Sequence, residues 1–413
     1  MKSTLIDAIA HDNADRIAHL KEQFEIPTGK IYLDGNSLGP VSISAKKAAL
    51  DVVEQQWGND LISSWNKHSW IDLPITTGEK IAKLVGAAPG QIICCDSISI
   101  NLFKILHSAL QLNPNRQIIL SQDDNFPTDL YVTEGLQQIL GIQQCELVSV
   151  ADTDIENQLT VQVAVLLLTH VNFRNGKTHD IEKITRAAHA KGIIVVWDLA
   201  HSVGVLPLSL DDWNVDFAVG CGYKYLNGGP GAPAFIYAAD RHQNSFQQPL
   251  QGWMGHMAPF DFSKHYCAGQ GMTQFLSGTP PVISMSVLNA SLDVFDHVSI
   301  TEIRHKAIAL MSFFQELKQA SPELNELQLI SPENANERGS QLAYSHPDAH
   351  GICQNLIDNN VIADFRMPDV LRLGFSPLFL SFQDIHTAIT ELNLIMTSKS
   401  YLAVQFTAKQ KVT

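Results

Sequence analysis

The sequence predicts an α/β fold: a mostly parallel sheet with helices on both faces, followed by a smaller α+β unit. Three observations predict it. Short apolar runs recur through the middle of the chain. A helical segment with its own stop signal lies between two of them. Beyond Ser291 the regular alternation of strand and helix ends.

In chain order the runs are residues 116–121, 145–150, 163–169, 193–198, 217–221 and 234–237. They are rich in Ile, Val, Leu and Phe, as strands covered on both faces should be. Between the third and fourth, residues 180–191 carry Ile181, Ile184, Ala187 and Ala188 at helical spacing, and Gly192 follows as a stop. That is one βαβ crossover, and several in series give a parallel sheet. In the last third, residues 291–318 and 382–396 read as helices, and residues 327–330, 341–344 and 370–375 as strands. The expected organisation is an N-terminal segment, residues 1–45, packing on the small domain or on a partner subunit. A large α/β domain (46–290) and a small α+β domain (291–413) follow.

Of 413 residues, 45% are hydrophobic and 17% charged, which excludes a disordered chain. The net charge of −14 argues against a nucleic-acid partner, since an acidic surface repels phosphate backbones. No apolar run approaches the roughly 18 residues of a membrane span. The stretch from Met1 to Arg16 carries Asp7, Asp12 and Asp15 and does not read as a secretory signal. Six cysteines without a CxxC pair read as reduced, mostly buried thiols of a cytoplasmic protein. No spacing suggests a metal centre. His346 and His350 flank Pro347 and read as a solvated loop pair.

In open α/β sheets ligands sit beyond the carboxyl ends of the strands. Asp198 ends one run, with Leu199, Ala200 and His201 behind it. Another run leads through Gly222 to Tyr223-Lys224-Tyr225 and the turn Asn227-Gly228-Gly229-Pro230-Gly231. A lysine at such an edge can form a Schiff base with an aldehyde cofactor, and an aspartate can hold the proton on its pyridine nitrogen. Asp96-Ser97-Ile98-Ser99 precedes a helical pattern, where hydroxyls and backbone N–H groups make an anion site. Asn125-Phe126-Pro127-Thr128-Asp129 offers a ring that could stack on a cofactor.

Taken together, Asp198-Leu199-Ala200-His201, Gly222-Tyr223-Lys224-Tyr225-Leu226-Asn227, Gly252-Trp253-Met254-Gly255-His256 and Phe275-Leu276-Ser277-Gly278-Thr279-Pro280-Pro281 resemble the motifs of kynureninases. So do Tyr32-Leu33-Asp34-Gly35-Asn36-Ser37-Leu38-Gly39 and Phe126-Pro127-Thr128-Asp129. The resemblance implies the aspartate-aminotransferase-like, fold type I architecture and pyridoxal 5'-phosphate as cofactor. It further implies a cytoplasmic homodimer with shared active sites that cleaves L-kynurenine to anthranilate and L-alanine, in tryptophan catabolism and the route to NAD. By the same resemblance Lys224 is the Schiff-base lysine, Asp198 the pyridine-nitrogen partner and Phe126 the stacking ring. Ile98, Ser99, Asp129, Thr169 and His201 are further cofactor contacts. Tyr223 and Trp253 are aromatic phosphate donors, and Thr279 reaches the partner subunit's cofactor. Arg372 grips the substrate α-carboxylate, a task suited to its fork.

Lys224, once freed, is the natural base for the Cα proton, and Tyr223 the candidate for protonating Cβ. Thr279 stands where members favouring 3-hydroxykynurenine have asparagine, and His68 is the nearest candidate for a histidine at the substrate ring. The expected preference is therefore for unsubstituted kynurenine. Rival readings are a cysteine desulfurase or small aminotransferase, and a phosphate-binding loop at residues 227–231. Desulfurases usually carry histidine before the lysine, where this chain has Tyr223, and the loop lacks Walker or GxGxxG spacing.

Overall fold

The computed structural model describes residues 4–245 and 247–408. Residues 1–3 and 409–413, the ends of the expected terminal segments, lie outside the described residues. A short strand β1 (Ile31–Tyr32) precedes β2 (Ile92–Cys95), β3 (Ile118–Gln122), β4 (Glu146–Val150), β5 (Val163–Thr169), β6 (Ile194–Asp198), β7 (Phe217–Cys221) and β8 (Ala234–Ala238). The last seven form one sheet in the order β2-β8-β7-β6-β5-β3-β4. Strands β3 to β7 run parallel, while β8 is antiparallel to both β7 and β2.

The six apolar runs all become strands. β5 is buried at each of its seven positions, with one face against each of the two hydrophobic clusters. At about 1.5–3 kcal/mol per buried aliphatic side chain, such strands anchor the sheet. The crossover helix is Ile181–His189, capped by Asp180 and followed by Gly192 at φ 69°. Two features went beyond the sequence reading. β2 is a seventh strand. And β8 returns antiparallel because no helix separates it from β7; Gly229 and Gly231 turn the chain with φ near 80°.

In the last third, β9 (Gln328–Leu329), β10 (Gln341–Ser345), β11 (Val361–Ile362), β12 (Asp364–Arg366) and β13 (Val370–Gly374) appear among helices. Four of them form a sheet in the order β12-β13-β10-β9, and β11 pairs with β1 in parallel. Two expectations need correction. The helix expected over 291–318 is broken: a 3-10 stretch ends at His297, and Ser299 caps a new helix, Ile300–Gln319, with Glu302 completing a capping box. His346 and His350 are not a solvated loop pair. His346 is buried against Tyr401, and His350 sits in the helix Ala349–Asp358, edge-on to Phe365.

The N-terminal segment packs on this last third. His11 stacks on Phe382, Asp12 accepts from the backbone N–H of Phe382, and Ile17, Leu20 and Phe24 are buried. Of the six cysteines, five are buried and Cys267 is exposed; all are free.

Candidate active site

The sheet register sets the floor of the site. Thr169 on β5 pairs with Asp198 on β6, and Asp198 pairs with Val219 on β7, so their carboxyl ends lie side by side. Beyond β7 the chain turns tightly: Gly222 N–H donates to Pro233 O, Gly228 N–H to Gly222 O, and Asn227 N–H to Lys224 O. The N-terminal segment closes this turn from outside. Gly39 N–H donates to Tyr223 O at 2.8 Å, and a side chain at Gly39 would stand 2.4 Å from Lys224 O. Only glycine permits that approach.

A cavity of about 230 Å³ opens here, walled by Ile98, Ser99, Phe126, Thr169, Asp198, His201, Tyr223 and Lys224 among others. Lys224 Nζ lies 2.9 Å from His201 Nε2 and 5.9 Å from the centre of the Phe126 ring. Burial lowers the lysine's pKa, and the cations Arg372 and Arg366 add to the effect. His201 is held well below the usual imidazole range by burial and by the Lys224 charge, so it is neutral and accepts from the lysine. Asp198 Oδ1 accepts from Ala200 N–H at 2.7 Å, and burial raises its carboxyl to about 6. Asp129 is fully buried behind Thr169, whose Oγ1 lies 3.3 Å from its Oδ2. Burial and the Asp198 charge push it well above the carboxylate range.

One wall is the start of the helix Ile98–Leu112. Ser97 caps it, accepting from Ile100 N–H, so the first turn presents free N–H groups to the cavity. Phe126, 39% exposed, forms another wall, with Phe173 edge-on at 5.3 Å. Phe173 is a site residue the sequence reading missed. It lies in the turn after β5, at the carboxyl edge where ligands gather, and that position was the available signal.

The donor set fits a pyridoxal phosphate. Asp129 Oδ1 and His201 Nδ1 are buried without a hydrogen-bond partner among the described residues. The carboxylate, the lysine, the aromatic wall and the anion-binding helix start all face one cavity.

Five expected residues do not line this cavity: Asp129, behind Thr169, and four that lie further off. Trp253 is 37% exposed and packs on Phe260 and Phe262. Thr279 is exposed. His68 Nε2 is held by Asp60 at 2.8 Å. Arg372 is buried: it donates to Asp364, to Ser37 Oγ at 2.8 Å and to Phe173 O at 2.5 Å. Its charge nonetheless acts on Lys224 and His201. Arg366, also missed, shares Asp364 with it at 2.9 Å. Strand alternation puts Asp364 and Arg366 on one face, and Asp364 pairs with Arg372 across the ladder.

Comparison with known proteins identifies the relatives of the chain. Residues 303–392 match the family described as kynureninase C-terminal domain. A kynureninase of Burkholderia pseudomallei (strain 1106a) is 42% identical over 412 residues, covering 98% of this chain and 99% of that one. A kynureninase of Pseudomonas fluorescens is 39% identical over 417 residues, covering both chains fully. Among solved structures, a cysteine desulfurase from Thermococcus onnurineus NA1 superposes with a TM-score of 0.77 at 18% identity. It covers 92% of this chain and 98% of that one. A cysteine desulfurase from Escherichia coli reaches 0.75 at 18% identity, covering 93% and 99%. At that identity the desulfurases share the fold alone, whereas the sequence relatives match end to end: the chain belongs to the kynureninase family.

Proposed function

We propose that the protein hydrolyses L-kynurenine at its Cβ–Cγ bond, consuming one water and releasing anthranilate and L-alanine, with pyridoxal 5'-phosphate as cofactor. The observation that carries this is the convergence of Lys224, Asp198, Phe126 and the helix start at Ile98 on one cavity. It stands in a chain that resembles kynureninases throughout its length.

When bound, the cofactor supplies an electron sink for the substrate's Cα. In this reading Ile98 and Ser99 hold its phosphate at the helix start, with Tyr223 and Trp253 as further donors. Phe126 covers its ring, and Thr169 and Asp129 back it. Asp198 keeps the proton on the pyridine nitrogen. Burial raises the Asp198 carboxyl against the opposing Ala200 N–H and Lys224 charge, and a pyridinium there would oppose the rise further. Lys224, its pKa lowered, takes the Cα proton, and neutral His201 fixes the direction of its amine. Water adds to the γ-carbonyl, the Cβ–Cγ bond breaks, and the Tyr223 hydroxyl returns a proton to Cβ. Arg372 holds the substrate α-carboxylate by exchanging part of its present bonding to Asp364 and Ser37.

The exposure of Thr279 and Trp253 supports a homodimer in which a partner completes each site. Five buried free thiols suit a reducing, cytoplasmic setting. Among the described residues no helix is long and apolar enough to cross a membrane. The same reading places the reaction in tryptophan catabolism.

The test is direct. Purified protein with the cofactor should convert L-kynurenine to anthranilate and L-alanine in equal amounts, and should release no sulfide from cysteine. Sulfide release without anthranilate overturns the proposal in favour of the desulfurase chemistry.

A further inference from the structure

Lys104 has a side chain of 0% exposure in the middle of the helix Ile98–Leu112, and nothing in the reaction above uses it. Its ammonium donates to Asp96 Oδ2 at 2.6 Å and to Phe275 O at 2.6 Å. Asp96 leads from β2 into the helix start with φ 48°, in the left-handed region, and its carbonyl accepts from Ala234 N–H at 2.9 Å. The next residue, Ser97, caps the helix whose first turn forms the anion site. Phe275 opens the segment that ends in Thr279 and Pro280-Pro281. One ammonium thus ties the turn that aims the helix start to a second segment near the site.

A buried lysine is retained at a cost unless its charge is paired. Here the charge also removes a problem. An unpaired Asp96 carboxylate, two residues before Ile98, would stand close to a phosphate at the helix start and repel it. We infer that Lys104 is a positioning residue for the cofactor-phosphate site: it neutralises Asp96 and fixes the helix start against residues 275–281. This rests on the reading of that helix start as the phosphate site.

The experiment measures how fast the holoenzyme loses its cofactor on dilution, by absorbance, beside thermal unfolding of the cofactor-free protein. Lys104→Met leaves Asp96 charged and should speed cofactor loss by about tenfold or more. Asn tolerates the left-handed turn, so Lys104→Met with Asp96→Asn should return the rate to within about threefold of the parent. Asp96→Asn alone leaves the positive charge in place. It should retain the cofactor at least as well as the parent, even though it unfolds at lower temperature. A purely structural role would instead move retention and stability together in all three. Unchanged cofactor loss in Lys104→Met, or no recovery in the double variant, overturns the inference. Should Lys104→Met fail to fold, faster loss in Asp96→Asn overturns it equally. Ser99→Asp separates the two readings. If it leaves cofactor loss unchanged, the phosphate-site reading falls and this inference with it. If it speeds loss while Lys104→Met does not, this inference alone falls.

Discussion

Lys224 Nζ and His201 Nε2 lie 2.9 Å apart, joining the loops after β7 and β6 in one buried contact. Both groups are displaced toward neutrality by burial, and the Lys224 charge further disfavours a proton on His201. The lowered pKa brings the Lys224 amine closer to the uncharged form that attacks a carbonyl.

Lys224→Ala should abolish turnover and remove the visible, borohydride-reducible chromophore from the purified protein. Absorbance and mass analysis after borohydride check this. A reducible adduct on another lysine would overturn the assignment.

Asp198→Ala should lower kcat by several powers of ten, because the electron sink loses its ring proton. The chromophore should persist with a shifted maximum, which separates a chemical role from loss of cofactor. A near-normal rate would place Asp198 in the scaffold.

Thr279 is exposed in the single chain, where a residue that acts across a subunit boundary should be. Heterodimers pairing Lys224→Ala with a Thr279 variant should regain part of the activity that each homodimer lacks. No recovery in verified heterodimers counts against a shared site.

His68 is held by Asp60, and Thr279 offers one short hydroxyl. A ring hydroxyl buried without a partner costs roughly 1–3 kcal/mol, so kcat/KM should favour kynurenine over 3-hydroxykynurenine by about tenfold or more. Equal values would show that some group reaches the ring hydroxyl, and His68→Ala would then be the variant to measure.

His170 is buried with Nδ1 2.8 Å from Ser202 Oγ, and burial pushes its pKa down to about 3. The unfolded imidazole binds a proton near pH 6.5 that the folded one refuses. Stability therefore rises with pH between about 3 and 6.5 and is fully present above. Denaturant unfolding should show His170→Gln removing a slope of up to about 1.4 kcal/mol per pH unit between pH 5 and 6. An unaltered slope would mean that His170 keeps its proton in the folded state.

Most of the sheet was legible because β5 to β8 are continuous apolar runs, and the residues at their carboxyl ends named Asp198 and Lys224. β2 was not seen: four residues, two of them cysteines, carry little strand signal on their own. The break before Ser299 was written as a capping box, but it interrupts an apolar pattern that continues on both sides. Phe173, Arg366 and Asp364 were missed for another reason. They join the site through contacts between distant segments, Arg372 to Phe173 and Arg366 to Ser37, which no local spacing announces.

The closure of the Lys224 turn by Gly39 has a bearing on when the enzyme comes into being. Gly39 follows closely on β1, and among the described residues β1 finds its strand partner in β11, at Val361 and Ile362. The segment that carries β1 and Gly39 must therefore wait for β11, far later in the chain, before it can settle. Until then the sheet can form, yet the turn bearing the lysine lacks its outer cover. A nascent chain of this protein holds its chemistry in abeyance until β11 has been made, the kinetic consequence of so long a span between paired strands.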